Sequence, residues 1–344
     1  MSKKLYLPLF LLLIFSMVLG ACAPQAAPEV EVATEVVVTE AATEAPTEAP
    51  TAEPTAEPTD FVAVFTDVFG SLSKENGYAA ISVTDLNNLL VENPPFLLDI
   101  REPAEVAEGY IEGAVNIPLR DLLDNLDKLP GLDDPIVVYC GSGHRGTIAL
   151  SALTALGYTD VKNMGGGTGA WKKAELALTT EPIADPESIS TPIVEDEQLF
   201  TSLNEFFKAI PEGFYATNAA GLNEKIINGE DLLIVDTRRP DEVEKNGYIE
   251  GTVFLPYETM LDNLDQLPEK DAPIVIYCGS GHRSGIAMTA LRMIGYTNVI
   301  SMGGGFGAWK AAELPVAGVV DWQAEWGTFL ASLADNMRSI GAAD

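Results

Sequence analysis

Cysteine, histidine and positive charge are all scarce in this chain. Its 344 residues include three cysteines, Cys22, Cys140 and Cys278, and two histidines, His144 and His282. Both histidines and the last two cysteines fall in one short stretch that occurs twice. With one cysteine per copy, no disulfide framework can form within a copy. A structural zinc site of four Cys, or of paired Cys and His, is excluded there too. Only 20 lysines and arginines stand against 51 acids, for a net charge of −31. Nucleic-acid binding needs basic stripes, and none is present. Setting aside the nine acids of residues 23 to 60, together with Lys3 and Lys4, leaves −24 on residues 61 to 344. Attraction of an anion would therefore have to be local. Apolar residues are not scarce: at 47% of the chain they permit real cores and exclude wholesale disorder.

The repeated stretch is Ile136-Val-Val-Tyr-Cys140-Gly-Ser-Gly-His-Arg145 and Ile274-Val-Ile-Tyr-Cys278-Gly-Ser-Gly-His-Arg283. Each copy reads as a buried strand of a parallel sheet, then a six-residue loop from Cys to Arg, then a helix. Apolar residues at Ile148, Ala149, Ala152, Leu153 and Leu156 mark one face of the first helix, and Gly157 its stop. Ile286, Ala287, Ala290, Leu291, Ile294 and Gly295 repeat the pattern.

The duplication runs well beyond the loop, with Pro118, Cys140 and Trp171 recurring as Pro256, Cys278 and Trp309. Each copy opens with a helix-like preface, 61 to 72 and 199 to 210, followed by a Gly-aromatic pair, Gly77-Tyr78 and Gly213-Phe214. A short helix behind a Ser or Asn cap follows, around 84 to 90 and 219 to 227. Strands are expected at 96 to 99, 113 to 118 and 161 to 164, and at 233 to 236, 251 to 256 and 299 to 302. Strands alternating with helices give an α/β fold with a mainly parallel sheet in each copy, flanked by helices on both faces. The organisation is a signal segment to residue 22, a tether over 23 to 60, domains over 61 to 180 and 199 to 320, a linker over 181 to 198, and an amphipathic helix over 321 to 344.

At the N-terminus, Lys3 and Lys4 precede an apolar stretch closed by Leu19-Gly-Ala-Cys22, a secretory signal with a small-residue cleavage region. It resembles the bacterial lipobox, which implies lipidation of Cys22 and a place in the bacterial cell envelope, anchored to the outer face of the cytoplasmic membrane or exported further. Residues 23 to 60, rich in Ala, Pro, Thr and Glu, cannot bury enough apolar surface to order themselves and read as a spacer.

The duplicated blocks resemble the rhodanese (sulfurtransferase) family. The residues that carry the likeness are Asp99-Ile-Arg101 and Asp236-Thr-Arg238, Gly-Tyr-Ile-Glu-Gly before Pro118 or Pro256, the Cys-x-x-Gly-x-Arg loop, and the Gly-Gly and Ala-Trp segments. Tyr110 and Tyr248 stand where that family usually carries His after Gly, and Gly146 stands where the second copy has Ser284. The resemblance implies two tandem domains in which Cys140 and Cys278 attack the outer sulfur of a donor such as thiosulfate. Each would hold it as a persulfide and pass it to a thiol or cyanide, with no metal or organic cofactor. Related cell-cycle phosphatases and arsenate reductases carry one more residue in the loop, so its length favours sulfur transfer.

A thiol attacks only as the thiolate. Main-chain N–H groups of Gly141, Ser142, Gly143, His144 and Arg145, and of Gly279, Ser280, Gly281, His282 and Arg283, are placed to curl around the sulfur, and each helix adds its positive end. Arg145 and Arg283 suit an oxyanion. Ser142 and Ser280 either bond the donor or only turn the chain. The histidines read as pocket-mouth side chains rather than general bases, since no partner carboxylate is identifiable. Asp99 with Arg101, and Asp236 with Arg238, read as structural ion pairs supporting the loops. The rival to an enzyme is a persulfide carrier or redox-sensing module with little turnover of its own.

Overall fold

The structure is a computed structural model that describes residues 58–318. The signal segment, Cys22, most of the tether and the expected C-terminal helix lie outside the described residues.

Each repeat folds into a five-stranded, wholly parallel sheet. In the first, strands β1 (Ala80–Ile81), β2 (Phe96–Asp99), β3 (Val115–Asn116), β4 (Ile136–Tyr139) and β5 (Val161–Met164) lie in the order β1-β5-β4-β2-β3. In the second, β6 (Ala216–Thr217), β7 (Leu233–Asp236), β8 (Thr252–Phe254), β9 (Ile274–Tyr277) and β10 (Val299–Met302) repeat it as β6-β10-β9-β7-β8. The cysteine-bearing strands sit at the centre of each sheet. All four residues of β4 and of β9 are buried, as a strand covered on both faces requires. Both cysteines therefore leave the sheet at its carboxyl end, where ligands bind in open α/β folds.

The helices are α1 (Phe61–Ser71), α2 (Val83–Glu92), α3 (Pro103–Val106), α4 (His144–Ala155) and α5 (Gly167–Lys173), then α6 (Glu197–Lys208), α7 (Ala219–Ile227), α8 (Pro240–Asn246), α9 (His282–Met293) and α10 (Gly305–Ala311). The cap candidates act as such: Ser82 Oγ accepts from Asp85 N at 3.1 Å, and Asn218 Oδ1 from Gly221 N at 2.8 Å.

Four details depart from the sequence reading. The helix after each loop begins at His144 and His282, before the arginine, because Gly143 and Gly281 take left-handed φ of 89° and 91° and turn the chain early. The strand expected over 113 to 118 shrinks to Val115–Asn116, between Gly113 at φ 85° and Pro118. The edge strands β1 and β6, two residues each, are too short to show a period. Finally, α6 starts inside the expected linker, capped by Asp196, whose Oδ1 accepts from Leu199 N at 2.8 Å.

The two repeats share one inner core. A single apolar cluster runs from Phe65, Leu98 and Ile148 in the first to Leu203, Val235 and Ile286 in the second. Its centre is the contact of α4 with α9, both almost entirely buried. Small residues allow the approach: a Cβ on Gly285 of α9 would lie 2.1 Å from Thr147 Oγ1 and 3.0 Å from Thr147 Cβ of α4. Each outer face keeps its own cluster, around Trp171 in one repeat and Trp309 in the other.

Gly285→Ala is expected to force α9 off α4 and to destabilise the fold by about 1–3 kcal/mol, the usual cost of overpacking. Adding Thr147→Ala should recover part of that loss, and thermal unfolding of the full chain reads both effects.

Candidate active site

The loop from Cys140 to Arg145 closes on its own sulfur. Gly143 N donates to Cys140 Sγ at 3.1 Å, and Gly281 N donates to Cys278 Sγ at 3.2 Å. Amide donors of this kind stabilise negative charge on sulfur. The glycine cluster after β5 presses against the loop from behind, as its composition foretold. Thr168 N donates to Cys140 O at 2.8 Å, and a Cβ on Gly167 would lie 2.1 Å from that oxygen. Likewise Phe306 N donates to Cys278 O at 2.7 Å, and a Cβ on Gly305 would lie 2.3 Å from that oxygen. Only glycine fits there, and its φ is also left-handed.

Both sulfurs are covered: Cys140 is 0% exposed and Cys278 1%. The exposed tips of the loops, Ser142 and Ser280, line a cavity of about 140 Å³ between the repeats, with Gly143, His144, Gly281 and His282.

The loop arginines are already paired. Arg145 makes a two-pronged salt bridge to Glu105, at 2.6 and 2.5 Å, and Arg283 one to Glu242, at 2.7 and 2.6 Å. The Arg145 hydrogen bonds hold Glu105 below the usual carboxylate range. Burial pushes Glu242 up, but Arg283 outweighs it and the net shift is also downward. These glutamates escaped the sequence reading. The available signal was their matched place, two residues after Pro103 or Pro240. There each also caps its helix, accepting from Glu102 N at 3.2 Å or Arg239 N at 3.0 Å.

Asp99 and Arg101 form a buried pair in which Arg101 Nε donates at 2.9 and 3.0 Å, and Asp236 with Arg238 copies those distances. Arg101 goes on to Glu105 O at 3.0 Å and Gly109 O at 2.9 Å. It thereby ties the end of β2 to the helix that carries Glu105. Tyr110 pairs its backbone with Thr179, N to O in both directions at 2.9 Å. Trp171 and Trp309 are core residues, their indole N–H groups on Ala177 O at 2.9 Å and Pro315 O at 2.7 Å.

Each histidine reaches into the other repeat. His144 Nε2 lies 2.8 Å from Phe214 O, and His282 Nε2 lies 2.8 Å from Tyr78 O. A carbonyl only accepts, so Nε2 carries the proton in both. At Nδ1 the copies differ. Asn163 Nδ2 approaches His282 Nδ1 at 3.3 Å, while His144 Nδ1 is buried without a partner. The repeat-two counterpart of Asn163 is Ser301, which bonds Ser284 at 2.9 Å. This also accounts for Gly146: a Cβ there would lie 2.0 Å from Asn163 Oδ1, so the amide occupies the space that the two serines share in the second repeat.

A sheet-end cysteine with an amide donor on its sulfur, duplicated about a shared interface, defines a tandem α/β cysteine-loop protein. The rhodanese-like domain model matches residues 82–174 and 219–312. The chain belongs to the rhodanese-like family. A sulfurtransferase of Allochromatium vinosum is 35% identical over 99 residues, 29% of this chain and 91% of that protein. The human thiosulfate:glutathione sulfurtransferase is 31% identical over 112 residues, 29% of this chain and 97% of that protein. A rhodanese-related protein of Thermoplasma volcanium, a crystal structure, is 29% identical over 30% of this chain and 100% of its own, with a TM-score of 0.28. The matched spans leave out α1 and α6. Both belong to the shared core: α6 packs on the turns at Leu119–Asp121 and Leu123–Lys128 of the first repeat.

Burial holds both imidazoles below their ordinary value of about 6.5. The unfolded chain then binds more protons, so this share of the stability is present above about pH 6.5 and is lost as the pH falls below it. The melting temperature should drop between about pH 6.5 and 5, above the range in which the lowered Glu105 and Glu242 titrate. His144→Gln with His282→Gln should flatten that slope; an unchanged slope would assign it elsewhere.

Proposed function

We propose that the protein is a rhodanese-type sulfurtransferase that carries sulfane sulfur as a persulfide on Cys140 and on Cys278. The observation that carries this reading is the duplicated loop with an amide N–H on each sulfur. In the first step a cysteine thiolate attacks the outer sulfur of a donor such as thiosulfate. The S–S bond of the donor breaks, its electron pair leaves on sulfite, and the sulfur stays as a cysteine persulfide anion. In the second, cyanide or a thiolate attacks the terminal sulfur, leaves as thiocyanate or a persulfide, and returns the cysteine thiolate. No net oxidant is consumed and no cofactor takes part. The lipid anchor at Cys22 and the tether would hold this chemistry at the cell envelope, outside the cytoplasmic membrane.

A second reading is favoured by the covered sulfurs and the compensated arginines: a carrier or redox-sensing module that loads from a partner and turns over slowly. Steady-state transfer from thiosulfate to cyanide separates the two. The enzyme reading expects turnover that falls by more than about a hundredfold in the variant carrying both Cys140→Ser and Cys278→Ser. A wild-type rate equal to that of the double variant favours the carrier.

A further inference from the structure

We propose that each cysteine loop is roofed by an aromatic residue of the opposite repeat, Phe214 over the Cys140 loop and Tyr78 over the Cys278 loop, and that these two roofs set different acceptor ranges for the two sulfurs. The proposal deepens the sulfur-transfer reading and rests on it for the word acceptor. The covering itself is a matter of geometry alone.

The Arg145 guanidinium stacks 4.7 Å from the Phe214 ring, and the Arg283 guanidinium 5.0 Å from the Tyr78 ring. Beside each stack, the loop histidine holds the backbone carbonyl of the same aromatic residue. Each roof therefore grips the two residues that close the loop, through one ring face and one hydrogen bond. The roof segments hold four of the six non-glycine residues with positive φ among the described residues: Tyr78 at 60°, Ala79 at 52°, Phe214 at 50° and Tyr215 at 54°. Left-handed backbone in side-chain-bearing residues is strained and persists only where surrounding contacts enforce it.

The anchoring of the two roofs is chemically inverted. In the first repeat Arg120 pairs with Glu102; at the matching positions of the second stand Glu258 and Arg239. Arg120 lies 4.7 Å over the Phe214 ring and donates to Ile210 O and Pro211 O at 2.8 and 2.9 Å. It grips the segment and leaves the ring edge untied. Tyr78 is instead held by its hydroxyl, which donates to Glu258 Oε1 at 2.6 Å and accepts from Arg239 at 3.3 Å. Beside Phe214, a cleft of about 850 Å³ opens between the repeats, lined by Glu105, Ser142 and Arg145 on one side and Thr217 and Asn218 on the other. That is the size and mixed polarity of a site for an organic molecule rather than a two-atom anion. Cys140 is accordingly assigned to organic thiols bearing polar groups, and Cys278, behind the tied Tyr78, to small acceptors such as cyanide.

The test uses the full chain with one loop cysteine at a time, Cys278→Ser or Cys140→Ser, loaded with thiosulfate and discharged by a cysteine-containing tripeptide or by cyanide. The ratio of tripeptide to cyanide discharge rates should be about tenfold higher at Cys140 than at Cys278. Tyr78→Phe should raise it at Cys278 and leave Cys140 unchanged, while Phe214→Tyr should act on Cys140 alone. Equal ratios, or an effect on the roof's own repeat, would overturn the assignment. Alkylation by iodoacetamide of the unloaded single-cysteine chains reads the covering without any sulfur chemistry: Tyr78→Phe should speed it at Cys278 only. If neither cysteine loads but alkylation responds this way, sulfur transfer has failed and the roofs stand. If alkylation at Cys278 does not move, the roofs fall whatever the sulfur result.

Discussion

The packing of α4 against α9 is the contact on which the rest of the molecule depends. Both helices start within the last two residues of a cysteine loop, at His144 and His282, so bringing them together sets the loops side by side. Thr147 against Gly285 shows how close the approach is. From that contact follow the single inner core, the histidines that bond across the interface, and the aromatic rings that lie over the opposite arginine. Separating the repeats would expose both the inner core and the loops.

Electrostatically, the site is more balanced than a bare arginine beside a thiol. Glu105 and Glu242 neutralise the loop arginines and cap the short helices at Pro103 and Pro240. The buried Asp99–Arg101 and Asp236–Arg238 pairs fix those helices in turn. The pairs reach those helices through backbone carbonyls, Arg101 on Glu105 O at 3.0 Å and Arg238 on Gly247 O at 2.8 Å, just past α8. Removing one partner of a buried pair leaves the other uncompensated, which costs more than the pair contributes.

Much of this was legible in the sequence. The apolar run before each cysteine, the glycines around it and the duplicated spacing gave the central strand, the loop and the parallel sheet, because local chain stiffness and burial decide those features. The glycine clusters pointed correctly to a backbone contact with the loop. What the sequence hid depends on the interface. A histidine without a nearby carboxylate gives no sign that its partner is a carbonyl in the other repeat. Nor do Gly77-Tyr78 and Gly213-Phe214 announce which loop they cover. The exchange of Arg120 and Glu102 for Glu258 and Arg239 looks like surface drift until both pairs are seen beside the same kind of ring. The absence of a hydroxyl at Gly146 reads as a loss, yet Asn163 fills its place.

Two covered thiols, each under one amide, are proposed to hold sulfane sulfur independently. Intact mass of the full chain after incubation with thiosulfate, repeated on Cys140→Ser and Cys278→Ser, tests it most directly. The expected result is a gain of two sulfur atoms in the wild type and one in each variant, reversed by cyanide. No gain in the wild type, or a gain that survives replacement of both cysteines, would contradict it.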